Sequence, residues 1–397
     1  MTIPNKEIKL TVIILMLFAI IQFFFVSNYE TDKTILSSQI IDSMDRDFRL
    51  FGQNIPCSSW GTTPSGENLK WAEEPPLYHV IGVVFNKLGL RSINYKFMAF
   101  ISYLGLIIGL LLNFNLLTIN VKSLPLKTLA IVSMPFVMIH AHRPLPDNMS
   151  VMFLSFFLYF FLKKNKPIAF VFATLAVTTK ALAIFAIFSV CLGELFAYKK
   201  QWKENFFKNL LFALSVIPML LWLYYLKENS IPNPFFADSL GVQHSGGMNF
   251  VDLTTRKYYS RIFSWTAVRG VGVFIFVLSI FTAIKMKVKE PQMKILIWGI
   301  LGQILYIVIV RGPQRAAPWY SFYFLPFYFL VFAYWSNLVG KKWFSAIVII
   351  NLISSLSFLR YTTEFEENLF KQTPKHAGIP CDFHKYIYEK HKKEGRL

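Results

Sequence analysis

Charge is scarce in this 397-residue chain: 16% of its residues are Asp, Glu, Lys or Arg, against 54% hydrophobic and 17% aromatic. One soluble core of this size cannot bury so much apolar surface, so an ordinary globular domain is excluded and a polytopic membrane protein is left. Acid is scarcer than base, with 22 Asp and Glu facing 41 Lys and Arg. Cysteine numbers three, so no more than one disulfide can form. No repeat of about 20–50 residues recurs, and no low-complexity linker divides the chain. A small-residue cleavage site is also missing: the first apolar run, Ile8 to Val26, is followed by "SNYETD". It therefore reads as a retained helix, long enough for the ~20 residues of one crossing, and not as a cleaved leader.

What is present is a series of apolar stretches. About eleven spans are expected, near 8–28, 94–119, 125–141, 149–162, 167–179, 181–197, 206–226, 267–284, 295–310, 321–339 and 343–360. The pair 167–179 and 181–197 also fits a re-entrant hairpin buried in protein. Every second connection is rich in lysine: Lys122 and Lys127; Lys163, Lys164 and Lys166; Lys199, Lys200 and Lys203; Lys285, Lys287, Lys289 and Lys294; Lys341 and Lys342. The positive-inside rule places these and the N-terminus in the cytoplasm, so 29–93, 140–148, Lys180, 227–266 and 311–320 face outward. The long outer loops are too apolar for free linkers and too polar to span, as expected of amphipathic helices lying on the membrane. The fold class is thus an all-α integral membrane bundle, with one transmembrane unit over 1–360 and a short, outward-lying extension over 361–397.

The scarce acids gather on the outer side. Asp32 follows the first span, Glu73 and Glu74 precede two prolines in "KWAEEPPLYHVIG", and Asp147 sits in "HRPLPDN". Lys180 separates two apolar stretches. Taken singly, each has a plain structural reading: Asp32 as a solvated boundary residue, the two Glu as anchors of a loop in water, Asp147 as a helix N-cap, Lys180 as an interfacial side chain reaching for water. His140 and His142, at i and i+2, point to opposite sides of a helix and chelate a metal only in extended backbone.

Taken together and in order, "YETDKT", "EEPPLYHVIGVVFNKLG", "RPLPDN", "TTKAL" and the later "WYSFYFLPF" resemble the polytopic glycosyltransferases of GT-C type. These use polyprenyl-phosphate sugars; the likeness is to the bacterial protein mannosyltransferase-like group (glycosyltransferase family 39) and the related aminoarabinose transferases of lipid A. The resemblance implies Asp32 as catalytic base and Glu74 and Asp147 as further acids of the catalytic cavity. Lys180 stands where relatives carry a cation before a span. Two departures stand out: Lys33 follows the first Asp, and "Ser321-Phe322-Tyr323" replaces a motif richer in His and Tyr, so that only Tyr323 keeps a hydroxyl.

The implied chemistry needs one base. Breaking the bond between the anomeric carbon and a phosphate oxygen releases an anion that takes no proton from the enzyme. A carboxylate at Asp32 accepts the acceptor's proton, a step worth roughly 10²–10⁴-fold. Lys180, Arg143, Arg311 and Arg315 are the outer cations suited to the departing phosphate. Tyr78 and Tyr323 are candidate substrate contacts, and Glu74, held by Pro75 and Pro76, orients substrate or helps hold a divalent ion. Inversion at the anomeric carbon follows from the resemblance. The expected partners are a polyprenyl-phosphate-linked sugar, membrane lipid and a glycan, lipid or protein acceptor on the outer face of the cytoplasmic membrane; the basic surface does not suit nucleic acid. A flippase or transporter for lipid-linked sugars, and a polymerase or ligase acting on them, are the alternative readings. Cys57 and Cys381 both face outward on this topology and form the one pair available for a disulfide.

Overall fold

The computed structural model describes residues 5–25, 41, 57–62, 68–70, 75–90, 94–118, 121–141, 145–228, 260, 262–285, 290–309 and 318–370. Its helices are α1 (Asn5–Phe25), α2 (Leu77–Phe85), α3 (Asn94–Leu117), α4 (Leu124–Val132), α5 (Pro146–Leu162), α6 (Lys166–Thr179), α7 (Ala183–Ala197), α8 (Trp202–Ala213), α9 (Ile217–Glu228), α10 (Val273–Lys285), α11 (Pro291–Ile309) and α12 (Leu325–Phe370). Each expected span coincides with one or more of them. Proline marks their starts: Pro125, Pro146, Pro167 and Pro291 occupy first turns, where the missing N–H is no loss.

Three expected spans are broken for identifiable reasons. The stretch 125–141 stops at Ser133, because Pro135 cannot continue the ladder, and resumes as a wide turn over Phe136–His140. The stretch 206–226 tightens to a 3₁₀ turn at Leu214–Val216, where the ring of Pro218 would meet the carbonyl of Leu214. The stretch 267–284 is a wide helical turn, Ser264–Val271, followed by α10 at an angle of 113°. Gly272 makes that corner with φ 94°, and a Cβ there would collide with the Asn351 amide. The turn expected between the last two spans is present at Gly340, φ 75°.

Among the described residues, Phe97–Leu117, Lys199–Tyr225 and Ser321–Ser357 are long and apolar enough to cross a membrane by themselves, and the bent pair around Gly272 makes a fourth if it is one span. Helices α5, α6 and α7 have 17, 14 and 15 residues, or about 21–26 Å, less than a ~30 Å hydrocarbon core. The count of eleven therefore does not follow from helix length alone. In the long connection between the first two expected spans the chain also forms a small antiparallel pair, β1 (Cys57–Thr62) and β2 (Asn68–Lys70), where only amphipathic helices were expected. In helix α2, Tyr78 and His79 are buried, while Val84 and, just beyond it, Leu88 are exposed.

Small residues set the helix contacts. Gly105 of α3 faces Met152 of α5 and Gly109 faces Ser155, so the two run parallel, as helices separated by one return crossing must. Asn113 Nδ2 seals this contact by donating to the carbonyls of Gly109 and Ser155, each at 2.8 Å. Ser189 and Gly193 of α7 meet Gly302 and Ile295 of α11, which makes that pair antiparallel. Gln303 of α11 donates to Thr266 Oγ1 at 2.9 Å and accepts from the Tyr328 hydroxyl at 2.6 Å, tying the bent segment to α12. Around these contacts lies a core rich in phenylalanine, with Phe114, Phe136, Phe157, Phe322 and Phe327 fully buried.

Candidate active site

Asp147 is the second residue of α5, after Pro146, and its side chain is completely buried. It is not the N-cap that its position in the sequence suggests: Leu145 caps the helix and no side chain closes the first turn. Instead the hydroxyl of Tyr323, 176 residues away, donates to Asp147 Oδ1 at 2.9 Å. The first turn of a helix favours a carboxylate through its exposed N–H groups and its dipole, which helps offset the burial of the charge. Tyr323 comes from the 3₁₀ segment Pro318–Phe324 that leads into α12, and Phe322 beside it packs on Phe136 with ring centroids 4.3 Å apart.

One turn along α5, Ser150 lies on the same face as Asp147. Its hydroxyl donates to the carbonyl of Ala176 at 2.8 Å, and the backbone N–H of Lys180 donates to that same carbonyl at 3.0 Å. This shared acceptor holds the start of α5 against the break between α6 and α7. Lys180 sits in that break with extended backbone, φ −153° and ψ 117°, and is only 6% exposed. It is not the exposed interfacial lysine that its place in the sequence suggests; it lies buried where α6 gives way to α7.

Tyr78 completes the group from α2. Burial and, after it, the charge of Asp147 push its phenol well above the ordinary range, which places it within electrostatic reach of that carboxylate. Its hydroxyl is 1% exposed as a residue and has no hydrogen-bond partner among the described residues. His79, whose ring meets Tyr78 edge-on at 5.4 Å, is also buried, and burial pushes its imidazole down to about 3, so it is neutral at physiological pH. His79 and Ser150 are members of the site that the sequence motifs did not single out. His79 stands inside the quoted "PPLYHVIG", but its burial depends on packing that no local pattern shows.

Of the nominated residues, Asp147 and Tyr323 are in direct contact, the charge of Asp147 is felt at Tyr78, and the backbone of Lys180 shares an acceptor with Ser150, one turn along α5 from Asp147. Asp32, Glu74, Arg143, Arg311 and Arg315 lie outside the described residues, as do His142 and Cys381. Among the described residues no three His, Cys, Asp or Glu come together as ligands for an ion, and Asp147 is engaged by a phenol.

No family model and no curated protein matches the chain in sequence. Among solved structures it is similar to ArnT from Cupriavidus metallidurans bound to undecaprenyl phosphate, with 16% identity over 96% of this chain and 68% of that one and a TM-score of 0.59. It is likewise similar to the apo state of the same protein, at 13% identity, the same coverage and a TM-score of 0.63. At this identity the likeness is one of architecture: the chain shares the helical fold of these two ArnT structures.

Proposed function

We propose that the protein is a membrane glycosyltransferase that moves a sugar from a polyprenyl-phosphate donor to a glycan, lipid or protein acceptor at the outer face of the cytoplasmic membrane. The observation that carries this reading is the buried Asp147–Tyr323 pair at the start of α5, beside the α6–α7 break that holds Lys180, in a fold shared with a structure bound to undecaprenyl phosphate. In the reaction, an acceptor oxygen attacks the anomeric carbon from the side opposite the phosphate. The carbon–oxygen bond to phosphate breaks with its electron pair leaving on the polyprenyl phosphate, and the acceptor's proton passes to the carboxylate of Asp32. Inversion follows from that direction of attack.

The described residues supply the surroundings of this step. The buried Lys180 ammonium stabilises charge building on the departing phosphate more strongly than it would in water. Tyr78 offers a buried O–H donor, and Tyr323 is fixed by Asp147, so the two phenols have different tasks: one is available to a substrate oxygen, the other shapes the wall. Asp147 is a positioning residue here, acting through Tyr323.

The test compares polyprenyl-linked sugars and envelope glycans, by mass analysis, in cells with and without the protein and with Asp32→Asn. Loss of a glycan modification with accumulation of the lipid donor, reproduced by Asp32→Asn in a folded protein, supports transfer. Unmodified sugar lipid trapped on the inner side identifies a flippase instead, and wild-type turnover by purified Asp32→Asn removes the base.

A further inference from the structure

At the far end of α5 from Asp147, roughly 25 Å along the helix, stands a group of lysines that the candidate active site does not use. Helix α5 closes there in a Schellman turn: the N–H of Lys164 donates to the Phe161 carbonyl and that of Asn165 to the Phe160 carbonyl, each at 2.9 Å. Lys164 holds the left-handed position of this turn, φ 60°, which glycine fills at least cost; among the described residues no other side-chain-bearing residue has a positive φ. Lys163 and Lys164 are exposed, and their ammonium groups stand over tyrosine rings, Lys163 over Tyr159 at 4.8 Å and Lys164 over Tyr198 at 4.6 Å. Tyr198 caps α7 and leads into the turn Lys199–Gln201, and the charge of Lys164 is felt at Glu204 in the first turn of α8. Lys199, Lys200 and Lys203, all exposed, therefore join the same patch.

The charge of this patch is not balanced by the protein. The carboxylates of the adjoining helix turns are engaged elsewhere, Glu204 by Lys208 and Glu194 by Lys166, each at 2.6 Å. Lys163, Lys164, Lys199, Lys200 and Lys203 form no ion pair among the described residues. Directly beyond the lysines the chain is inside-out. Asn205, Asn209 and Ser215 face the bundle and are buried, whereas Phe206, Leu210 and Leu214, at four-residue steps, are exposed together with Trp202 and with Phe207 at 69%. Because Lys199–Tyr225 is long and apolar enough to cross a membrane, this outward stripe is the face that meets acyl chains, and Trp202 at its head suits the boundary with the headgroups.

We propose that this corner, formed by the α5–α6 turn and the start of α8, binds an anionic phospholipid of the leaflet at that end, with its phosphate among the lysines and an acyl chain along Phe206, Leu210 and Leu214. The two features select the occupant together. A soluble anion answers the lysines and leaves the stripe unused, while a zwitterionic phospholipid covers the stripe and leaves five cations without net counter-charge. A lysine in the position that glycine fills more cheaply fits the same reading, since backbone strain is kept where the side chain has a task. The site is defined by binding at the end of α5 remote from Asp147 and stands whether or not the transfer reaction does.

The experiment uses the full chain in phosphatidylcholine nanodiscs doped with either phosphatidylglycerol or phosphatidylcholine, each carrying the same photoreactive diazirine on an acyl chain, and maps the label by peptide mass analysis. Phosphatidylglycerol is expected to label 199–214 on the order of tenfold more than phosphatidylcholine, with the ratio falling as salt rises. Lys164→Gly removes one cation while giving the turn its preferred residue. It is expected to hold or raise the unfolding midpoint and yet to cut the ratio about fivefold, one lysine's share near an anionic lipid; Lys341→Gln, on α12, leaves the ratio unchanged. Lys199→Gln combined with Lys200→Gln and Lys203→Gln brings the two probes level. Displacement of the label by inorganic phosphate, and not by chloride at equal ionic strength, overturns the lipid and assigns the lysines to a soluble phosphate. Equal labelling of 199–214 by both probes in the wild type, or a ratio untouched by Lys164→Gly, also overturns the proposal and leaves the lysines to a soluble acidic partner or to topology alone.

Discussion

A carboxylate buried at 0% exposure is tolerated only if something receives its charge, and at Asp147 the described residues contribute the Tyr323 hydroxyl and the first turn of α5. Removing the phenolic oxygen by Tyr323→Phe is expected to cost about 1–3 kcal/mol of stability, the usual penalty for depriving a buried acceptor of its donor. Transfer activity should fall at least tenfold in the same variant, whereas Asp147→Asn, which keeps an acceptor oxygen, should be nearer to wild type in stability than in turnover. Thermal unfolding and donor turnover measured side by side check this; equal loss in both quantities for both variants would reduce the pair to packing. His79 gives a pH signature. Its imidazole titrates near 3 in the folded protein, below the ordinary value of 6.5, because burial disfavours the cation. The unfolded chain therefore binds a proton that the folded one does not as pH falls below about 6.5, and stability is present above that pH and lost going down, by about 1.4 kcal/mol per pH unit for this group. Unfolding midpoints between pH 7.5 and 5 should drop more steeply for the wild type than for His79→Phe, and parallel curves would disprove the assignment.

Between elements, the bundle is held by contacts that lie far apart in sequence. Lys166 at the start of α6 donates to Glu194 of α7 at 2.6 Å and to Asn209 Oδ1 of α8 at 3.1 Å, over the ring of Phe161. The two charged side chains are 13% and 4% exposed. Breaking one partner of so buried a pair should cost about 3–5 kcal/mol, because the other charge is stranded, while replacing both by apolar residues of similar volume should cost much less. Lys166→Met alone is thus expected to unfold at clearly lower temperature than Lys166→Met with Glu194→Leu; equal midpoints would show the pair to be uncoupled. The same pair shows which parts of the fold could be read from sequence. The helices were legible because hydropathy and lysine placement are local: α6 and α7 fall on the expected 167–179 and 181–197, and the turn at Gly340 falls between the last two spans. The corner at Gly272 was not legible, because an apolar run reads the same whether straight or bent and the space for that glycine is set by Asn351. Site residues divide in the same way. Proline-marked loops pointed to Tyr78 and Asp147, but the partner of Asp147 is 176 positions away and the burial of Lys180 arises only when α5, α6 and α7 close together.

For the molecule as a whole, the open issue is on which side the basic tail lies, and the last helix bears directly on it. Positive-inside bias alone would keep Lys371, Lys375, Lys385, Lys390, Lys392, Lys393 and Arg396 in the cytoplasm. After Gly340, however, the chain doubles back: Phe344 stacks on Phe332 with centroids 5.1 Å apart and meets Phe114 at 5.8 Å. Further on, Asn351 and Ser355 reach Ser133, at the middle of the expected span 125–141. Asn337, before the turn, donates to the Leu117 carbonyl at the opposite end of α3 from its outer start. The two halves of α12 therefore run in opposite directions, and the second returns toward the end of the bundle that holds Asp147 and Tyr323. If that end faces outward, as the placement of the lysines leads one to expect, the tail beyond Phe370 is expected outside despite its charge. The expected result is that Cys381 in intact cells reacts with a membrane-impermeant thiol reagent, with Cys191, half-buried within the apolar helix α7, silent in single-cysteine controls. Reaction only after reduction, at Cys57 and Cys381 together, would add a disulfide clamping the tail to the first outer loop. Reaction of Cys381 only in permeabilised cells would put the tail inside, and one of the short helices α5, α6 or α7 would then have to enter and leave the membrane on the same side.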